Sequence, residues 1–215
     1  MMTRIVIADD QASIRKGFRH ILEAQPDMSV VGEAADGVSA LEAACALSPD
    51  VLLADIRMPA MDGLELTRRL VESAPFVRVV VVTTFDLDEY VHSALRDGAF
   101  GFLLKRSGSA LLVEAVRAAS VGDALISPQI TTRLLRRMRY TSRSWEKPSE
   151  PLTAREQEVA ALVADGMTNS DIAAELFISL GTVKSHLANL QRKLKVRNRV
   201  GVAAWTWESD LKQRP

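Results

Sequence analysis

Arg4-Ile5-Val6-Ile7-Ala8-Asp9-Asp10 is a β-branched apolar run that stops on two carboxylates. Such a run suits a strand buried on both faces of a parallel sheet. Val79-Val80-Val81-Val82 has the same character. Working outward from these two runs, strands are predicted at 4–8, 29–33, 51–54, 77–82 and 101–104. Amphipathic helical stretches alternate with them near 13–24, 37–47, 63–73, 86–97 and 108–121. Five βα units in succession predict an α/β fold with five parallel strands, doubly wound, with helices on both faces.

The pattern changes after Ser120. Residues 122–149 hold Gly122, Pro128, the basic cluster Arg133, Arg136, Arg137, Arg139 and Arg143, and the start of Pro148-Ser149-Glu150-Pro151. Ile130, Leu134, Leu135 and Met138 keep helical spacing, so part of this linker is expected to be helical. From residue 150 to 215 four short helical segments follow with no strand pattern, predicting a small all-α domain. Thr153 with Glu156 fits a capping box, and Gly166 fits a helix C-terminus. Asn169 or Ser170, then Ser179, then Asn198 are the expected caps of the later helices.

The 215 residues are 47% apolar and 25% charged, ordinary for a globular chain. No apolar run approaches the ~18 residues that span a bilayer, and no signal-peptide pattern opens the chain. A cytoplasmic protein is expected, with no membrane partner. The net charge of zero hides an asymmetry: residues 1–125 hold 12 basic and 18 acidic residues, whereas 126–149 hold 6 and 1. Positions 179–199 contain six basic residues and no acid. An acidic front and a locally basic rear suggest modules with different partners. Cys45, the single cysteine, excludes an intramolecular disulfide and a cysteine metal cluster. Its apolar helical setting predicts a buried thiol.

Asp9 and Asp10 follow the first predicted strand, and Asp55 ends the third. With strand order 2-1-3-4-5 these strands are neighbours, and their carboxyl ends line the crevice where ligands bind in such folds. Three carboxylates that close repel unless neutralised. A hard cation such as Mg²⁺, taking few carboxylates and keeping several waters, is the natural remedy. A carboxylate beside Mg²⁺ can be a nucleophile toward phosphorus. Thr83 and Lys105, at the ends of the fourth and fifth strands, would add a hydroxyl and a positive charge. Each alone would suit an ordinary loop; their joint spacing points to one site.

Ala54-Asp55-Ile56-Arg57-Met58-Pro59-Ala60-Met61-Asp62-Gly63 closely resembles the phosphoacceptor segment of response-regulator receiver domains. Asp9-Asp10, Thr83-Thr84 and Phe102-Leu103-Leu104-Lys105 fall where that family has its acidic pair, its Ser/Thr and its Lys. The resemblance covers residues 3–121 and implies a flavodoxin-like receiver domain over 1–121. It implies phosphorylation of Asp55 and a Mg²⁺ site made by Asp10, Asp55 and the backbone carbonyl of Arg57, supported by Asp9. Thr83 and Lys105 would contact the phosphoryl group. Phe102 matches the family's switch aromatic, which moves with Thr83, though a plain core role fits equally. Arg106 stands where many receivers have Pro.

Within the rear domain, Val183, Leu187, Leu190 and Leu194 form one apolar helix face, with Lys184, Ser185, Ala188, Gln191, Arg192 and Lys195 opposite. With the preceding segment, joined through Phe177-Ile178-Ser179, this reads as a helix-turn-helix whose second helix can enter a major groove. The alternative is a small bundle for protein contacts. Leu152-Thr153, Arg155-Glu156, Gly166, Asn169, Ile172-Ala173, Ile178-Ser179, Thr182-Val183-Lys184 and His186 resemble the LuxR-type DNA-binding domain over residues 150–210. The two resemblances together indicate the NarL/FixJ subgroup of response regulators. They imply groove-facing Lys184 and Ser185, and phosphate contacts from Thr182, His186, Lys193 and Arg199. Ala188 can offer a base no more than a methyl contact.

The implied function is a two-component transcriptional regulator: a sensor histidine kinase phosphorylates Asp55, and a phosphorylation-promoted homodimer binds double-stranded promoter DNA. The alternative is a constitutive DNA-binding regulator whose receiver serves only dimerisation. A separate enzyme is disfavoured: an aspartyl-phosphatase would need an acid two positions after its nucleophile, where Arg57 stands, and no G-x-x-x-x-G-K-[ST] loop occurs.

Overall fold

The computed structural model describes residues 2–84, 88–126 and 148–209, without the side chains of 88, 89, 92, 207 and 208. The chain divides into two compact units between Leu134 and Leu135. The expected linker helix lies outside the described residues.

In the first unit, strands β1 (Thr3–Ala8), β2 (Met28–Ala34), β3 (Val51–Ala54), β4 (Arg78–Thr83) and β5 (Gly101–Leu104) alternate with helices. The helices are α1 (Ala12–Glu23), α2 (Gly37–Leu47), α3 (Gly63–Ser73), α4 (Asp88–Asp97) and α5 (Ser109–Val121). A sixth strand, β6 (Leu125–Ile126), adds to the predicted five; it pairs parallel with β5. The sheet order is β2-β1-β3-β4-β5-β6, and every pair is parallel. The expected α/β doubly wound class therefore holds, with one more strand.

Strand residues alternate between the two faces of a sheet. Ile5, Ile7, Val51, Leu53, Val80, Val82 and Leu103 pack with Leu22 of α1 and with Leu112, Val113 and Val116 of α5. The alternate set, Val6, Leu52, Val79, Val81 and Phe102, is also buried. Helices α2, α3 and α4 lie side by side in sequence order. Burying both faces explains the unbroken apolar strands: each full-sized aliphatic contributes about 1.5–3 kcal/mol.

In the second unit, α6 (Ala154–Ala164), α7 (Asn169–Glu175), α8 (Leu180–Leu194) and α9 (Arg199–Glu208) enclose a core of Val159, Val163, Ile172, Leu190, Val202 and Trp205. The Thr153–Glu156 capping box forms, and Gly166 follows α6 with φ 80°. Ser179 and Asn198 cap α8 and α9 as expected. The cap of α7 is Thr168, not Asn169 or Ser170; its hydroxyl accepts from Asp171 N, and Asp171 reaches back to Thr168 N. Cys45 is exposed, contrary to expectation. Ala40 and Ala44 make the buried side of α2, and Cys45 falls one residue past it.

Candidate functional site

The β1–β2, β1–β3 and β4–β5 registers decide what meets at the carboxyl end of the sheet. Ala8 aligns with Ala34 and Ala54, so Asp9 and Asp55, each the next residue, emerge together. Asp55 N donates to Ala8 O at 2.9 Å, and Asp9 N to Ala34 O at 3.1 Å. Thr83 aligns with Leu104, and Lys105 N donates to Thr83 O at 2.9 Å. Thr83 and Phe102 are fully buried.

Asp9, Asp10 and Asp55 each present a carboxylate oxygen within 4.8 Å of the others. Asp9 and Asp55 are buried, while Asp10 is exposed. Lys105 Nζ lies 2.6 Å from Asp9 Oδ2 and 2.8 Å from Asp55 Oδ2. The Asp55 contact is a formed hydrogen bond. The fully buried Asp9 Oδ2 has the ion pair without an aligned hydrogen bond. Asp9 Oδ1 accepts from Gln11 N at 3.0 Å, and Asp55 Oδ1 from Ile56 N at 2.7 Å.

Burial pushes the Asp9 carboxyl above its ordinary range, outweighing Lys105 and the Gln11 amide. Burial works against the Lys105 ammonium too, but Asp55 and Asp9 outweigh it and raise its pKa. Among the described residues Lys105 thus pairs with two buried carboxylates, and the exposed Asp10 carboxylate lies close to both of them. An all-oxygen donor set with surplus negative charge and an under-used buried carboxylate oxygen fits a hard divalent ion such as Mg²⁺. The open side of the site is a shallow cleft of about 380 Å³ walled by Asp10, Arg57, Met58, Pro59, Asp62 and Tyr90.

The loop from Asp55 to α3 is held tightly. Asp62 caps α3 through Leu64 N and Glu65 N. Gly63 N donates to Ile56 O at 2.9 Å, and a Cβ at Gly63 would stand 2.1 Å from Asp55 O. Only glycine lets the helix start this close to Asp55. In the sequence Gly63 stands out only as the end of the phosphoacceptor-like segment, without this role. Arg15, which carries no motif signal, also belongs to the site: its Nη1 donates to the carbonyls of Asp9 (2.7 Å) and Asp10 (3.3 Å).

In the second unit the apolar face of α8 is buried as expected, through Val183, Leu187, Leu190 and Leu194. Ser185, Ala188 and Arg192 are exposed, and Thr182, Lys184 and His186 are half-buried. Thr182 Oγ1 is 2.8 Å from Ser179 Oγ, and Ser185 Oγ donates to Gly181 O. Arg192 makes a forked pair with Glu150 at 2.6 and 3.2 Å.

Two expected phosphate contacts are corrected. Lys193 is buried, with Nζ 2.7 Å from Glu156 Oε2 and 3.1 Å from Pro151 O. Arg199 is buried, donating to Asn169 Oδ1 at 3.1 Å and to Met167 O. Both heads are spent inside the domain, so neither is presented to a phosphate. Phe177, between α7 and α8, is 95% exposed with φ 54°. Among the described residues no helix is long and apolar enough to cross a membrane.

Comparison with known proteins gives two family matches: "Response regulator receiver domain" over residues 5–117 and "Bacterial regulatory proteins, luxR family" over 150–206. The transcriptional regulatory protein LiaR of Bacillus subtilis is 39% identical over 210 residues, covering 98% of this chain and 99% of LiaR. The response regulator ChrA of a heme-sensing two-component system is 35% identical, with TM-score 0.54 and 98% of both chains covered. A structure of two RcsB dimers bound to two parallel DNAs is 26% identical, with TM-score 0.59, covering 97% of this chain and 99% of that one.

Proposed function

The chain belongs to the response regulators that join a receiver domain to a luxR-family DNA-binding domain, and from that premise we propose that a sensor histidine kinase phosphorylates Asp55 and thereby controls promoter binding. The regulation of transcription is the family's common function; the phosphoryl switch is our reading for this chain. The observation that carries it is Lys105 Nζ held 2.6 and 2.8 Å from Asp9 and Asp55 beside the exposed Asp10.

In this reading Asp10, Asp55 and the carbonyl of Arg57 hold Mg²⁺, with Asp9 in support. When bound, the ion offsets charge on the transferring phosphoryl group. An Asp55 carboxylate oxygen forms the new P–O bond as the donor's P–N bond breaks. Lys105 and the Thr83 hydroxyl receive the phosphoryl oxygens, and Phe102 follows Thr83. The added charge and acceptors bias a two-state receiver. A homodimer forms and sets two α8 helices into successive major grooves. Lys184 and Ser185 face the bases, and Thr182 and His186 meet the backbone. The RcsB–DNA structure, itself of dimers, supports this assembly. The protein acts in the cytoplasm, beside the DNA and the kinase's catalytic domain.

The test is phosphoryl incorporation from phosphoramidate with Mg²⁺, read by intact mass. Wild type gains one phosphoryl group, and Asp55→Asn gains none. Undiminished incorporation in that variant would sink the assignment. Equal affinity for a duplex selected from a random pool, with and without beryllofluoride, would favour a constitutive DNA binder.

A further inference from the structure

Arg15 stands just beyond the first turn of α1, a helix whose cap residue Gln11 makes no side-chain cap bond and whose first turn holds no acid. The positive end of the helix dipole disfavours a cation there. The position is offset by what the guanidinium binds. Nη1 donates to Asp9 O at 2.7 Å and to Asp10 O at 3.3 Å, so one group clamps two successive carbonyls of the acidic loop. Nε lies 3.3 Å from Glu33 Oε2, and the side chain is only 16% exposed.

Glu33 is itself held. It sits on β2 opposite Ile7 of β1 and takes Arg19 Nε at 2.5 Å on its other oxygen. Arg19 in turn reaches Glu23 at 2.7 Å and Val30 O at 3.3 Å. Arg19 first, and Arg15 after it, hold the Glu33 carboxyl below its ordinary range, so it is charged at neutral pH. A chain of contacts thus runs from β2 through Glu33 and Arg15 to the peptide planes of Asp9 and Asp10. Asp10 carries the exposed carboxylate of the trio, and its aim depends on the backbone that Arg15 clamps.

We propose that Arg15 is a positioning residue for the divalent cation: it fixes the Asp9–Asp10 backbone so that the Asp10 carboxylate meets the ion together with those of Asp9 and Asp55, and Glu33 orients Arg15 for that task. This rests on the phosphoacceptor reading above. Outer contacts that orient metal ligands typically alter affinity by about 10–100-fold when removed. Lysine can reach a carbonyl but lacks the planar fork that also serves Glu33.

The experiment is calorimetric titration of the full chain with MgCl₂, comparing wild type, Arg15→Met, Arg15→Lys and Glu33→Gln, each checked for native circular dichroism. The Mg²⁺ Kd should weaken about tenfold in R15M and by less in R15K and E33Q. In metal-free protein the Asp10 and Gln11 amides should exchange hydrogen faster in R15M. At saturating Mg²⁺, the phosphoramidate reaction of R15K should regain the wild-type rate, with only the half-saturating Mg²⁺ concentration raised. Folded R15M and R15K with the wild-type Kd would overturn the proposal, whatever their melting temperatures, and would leave the phosphoacceptor reading standing. A wild-type protein giving no Mg²⁺ heat would sink both.

Discussion

Phe177 holds a left-handed backbone conformation at φ 54° while 95% of its surface faces solvent. An L-residue with a bulky side chain is strained there by about 1 kcal/mol, and Phe177 recovers little of that by burial. Asparagine tolerates the conformation better. Phe177→Asn should therefore stabilise the second unit by about 0.5–1 kcal/mol, read as a raised urea midpoint; a lowered midpoint would show that the ring contributes more than its exposure implies. At this scale the sequence was legible where chemistry depends on a strand end. Asp9, Asp55, Thr83 and Lys105 follow from alternation and register. It was illegible where a partner is remote. Nothing near Lys193 announces Glu156, 37 positions away, as its ion-pair partner, and nothing near Arg199 announces Asn169. A basic residue's availability is a fact of packing. Arg15 is illegible for the same reason, its partner Glu33 lying 18 positions away.

Among the elements, α3 is the most exacting, because its start is packed on the backbone of Asp55. A methyl group at position 63 would lie 2.1 Å from Asp55 O. Gly63→Ala must push the helix away or bend the loop, losing the Gly63 N to Ile56 O bond. Overpacking of this kind costs about 1–3 kcal/mol. The expected outcome is a lowered urea midpoint by far-UV circular dichroism, with slower phosphoryl incorporation from phosphoramidate; unchanged values for both would mean the loop gives way freely. Strands β1, β3, β4 and β5 were readable because burial on both faces leaves continuous apolar runs, whereas β2, at the sheet edge, is interrupted by Ser29, Gly32 and Glu33 and is only partly buried. Strand β6 was not readable, since two half-buried residues carry no periodicity. The cap of α7 was displaced by one residue because Thr168, Asn169 and Ser170 are all cap-competent, and only Thr168 has an acid three positions on.

For the molecule as a whole, the two units can be followed separately. Residues 1–134 contain no tryptophan, and Trp205 is buried in the core of the second unit, so indole fluorescence reports that unit. Its buried pair sets its acid response. Burial works to raise the Glu156 carboxyl, but Lys193 and the Thr153 donors prevail and hold it below the ordinary value of 4.5. A carboxyl depressed on folding adds stability above its unfolded pKa, and that stability is lost as pH falls through the lower folded value. The fluorescence-detected melting temperature should thus fall as pH drops below 4.5. Glu156→Gln should melt lower at pH 7 and show a shallower fall in acid; an equal slope in the two proteins would mean that other carboxylates govern it.

The sheet order β2-β1-β3-β4-β5-β6 reverses direction only once, at β1. After β3 pairs with β1, each later strand joins the same free edge in the order in which a ribosome releases it. Nascent chain therefore need not open finished structure to admit the next strand, and a transcript truncated after β3 would leave the apolar Val51–Ala54 edge uncovered, an invitation to aggregate.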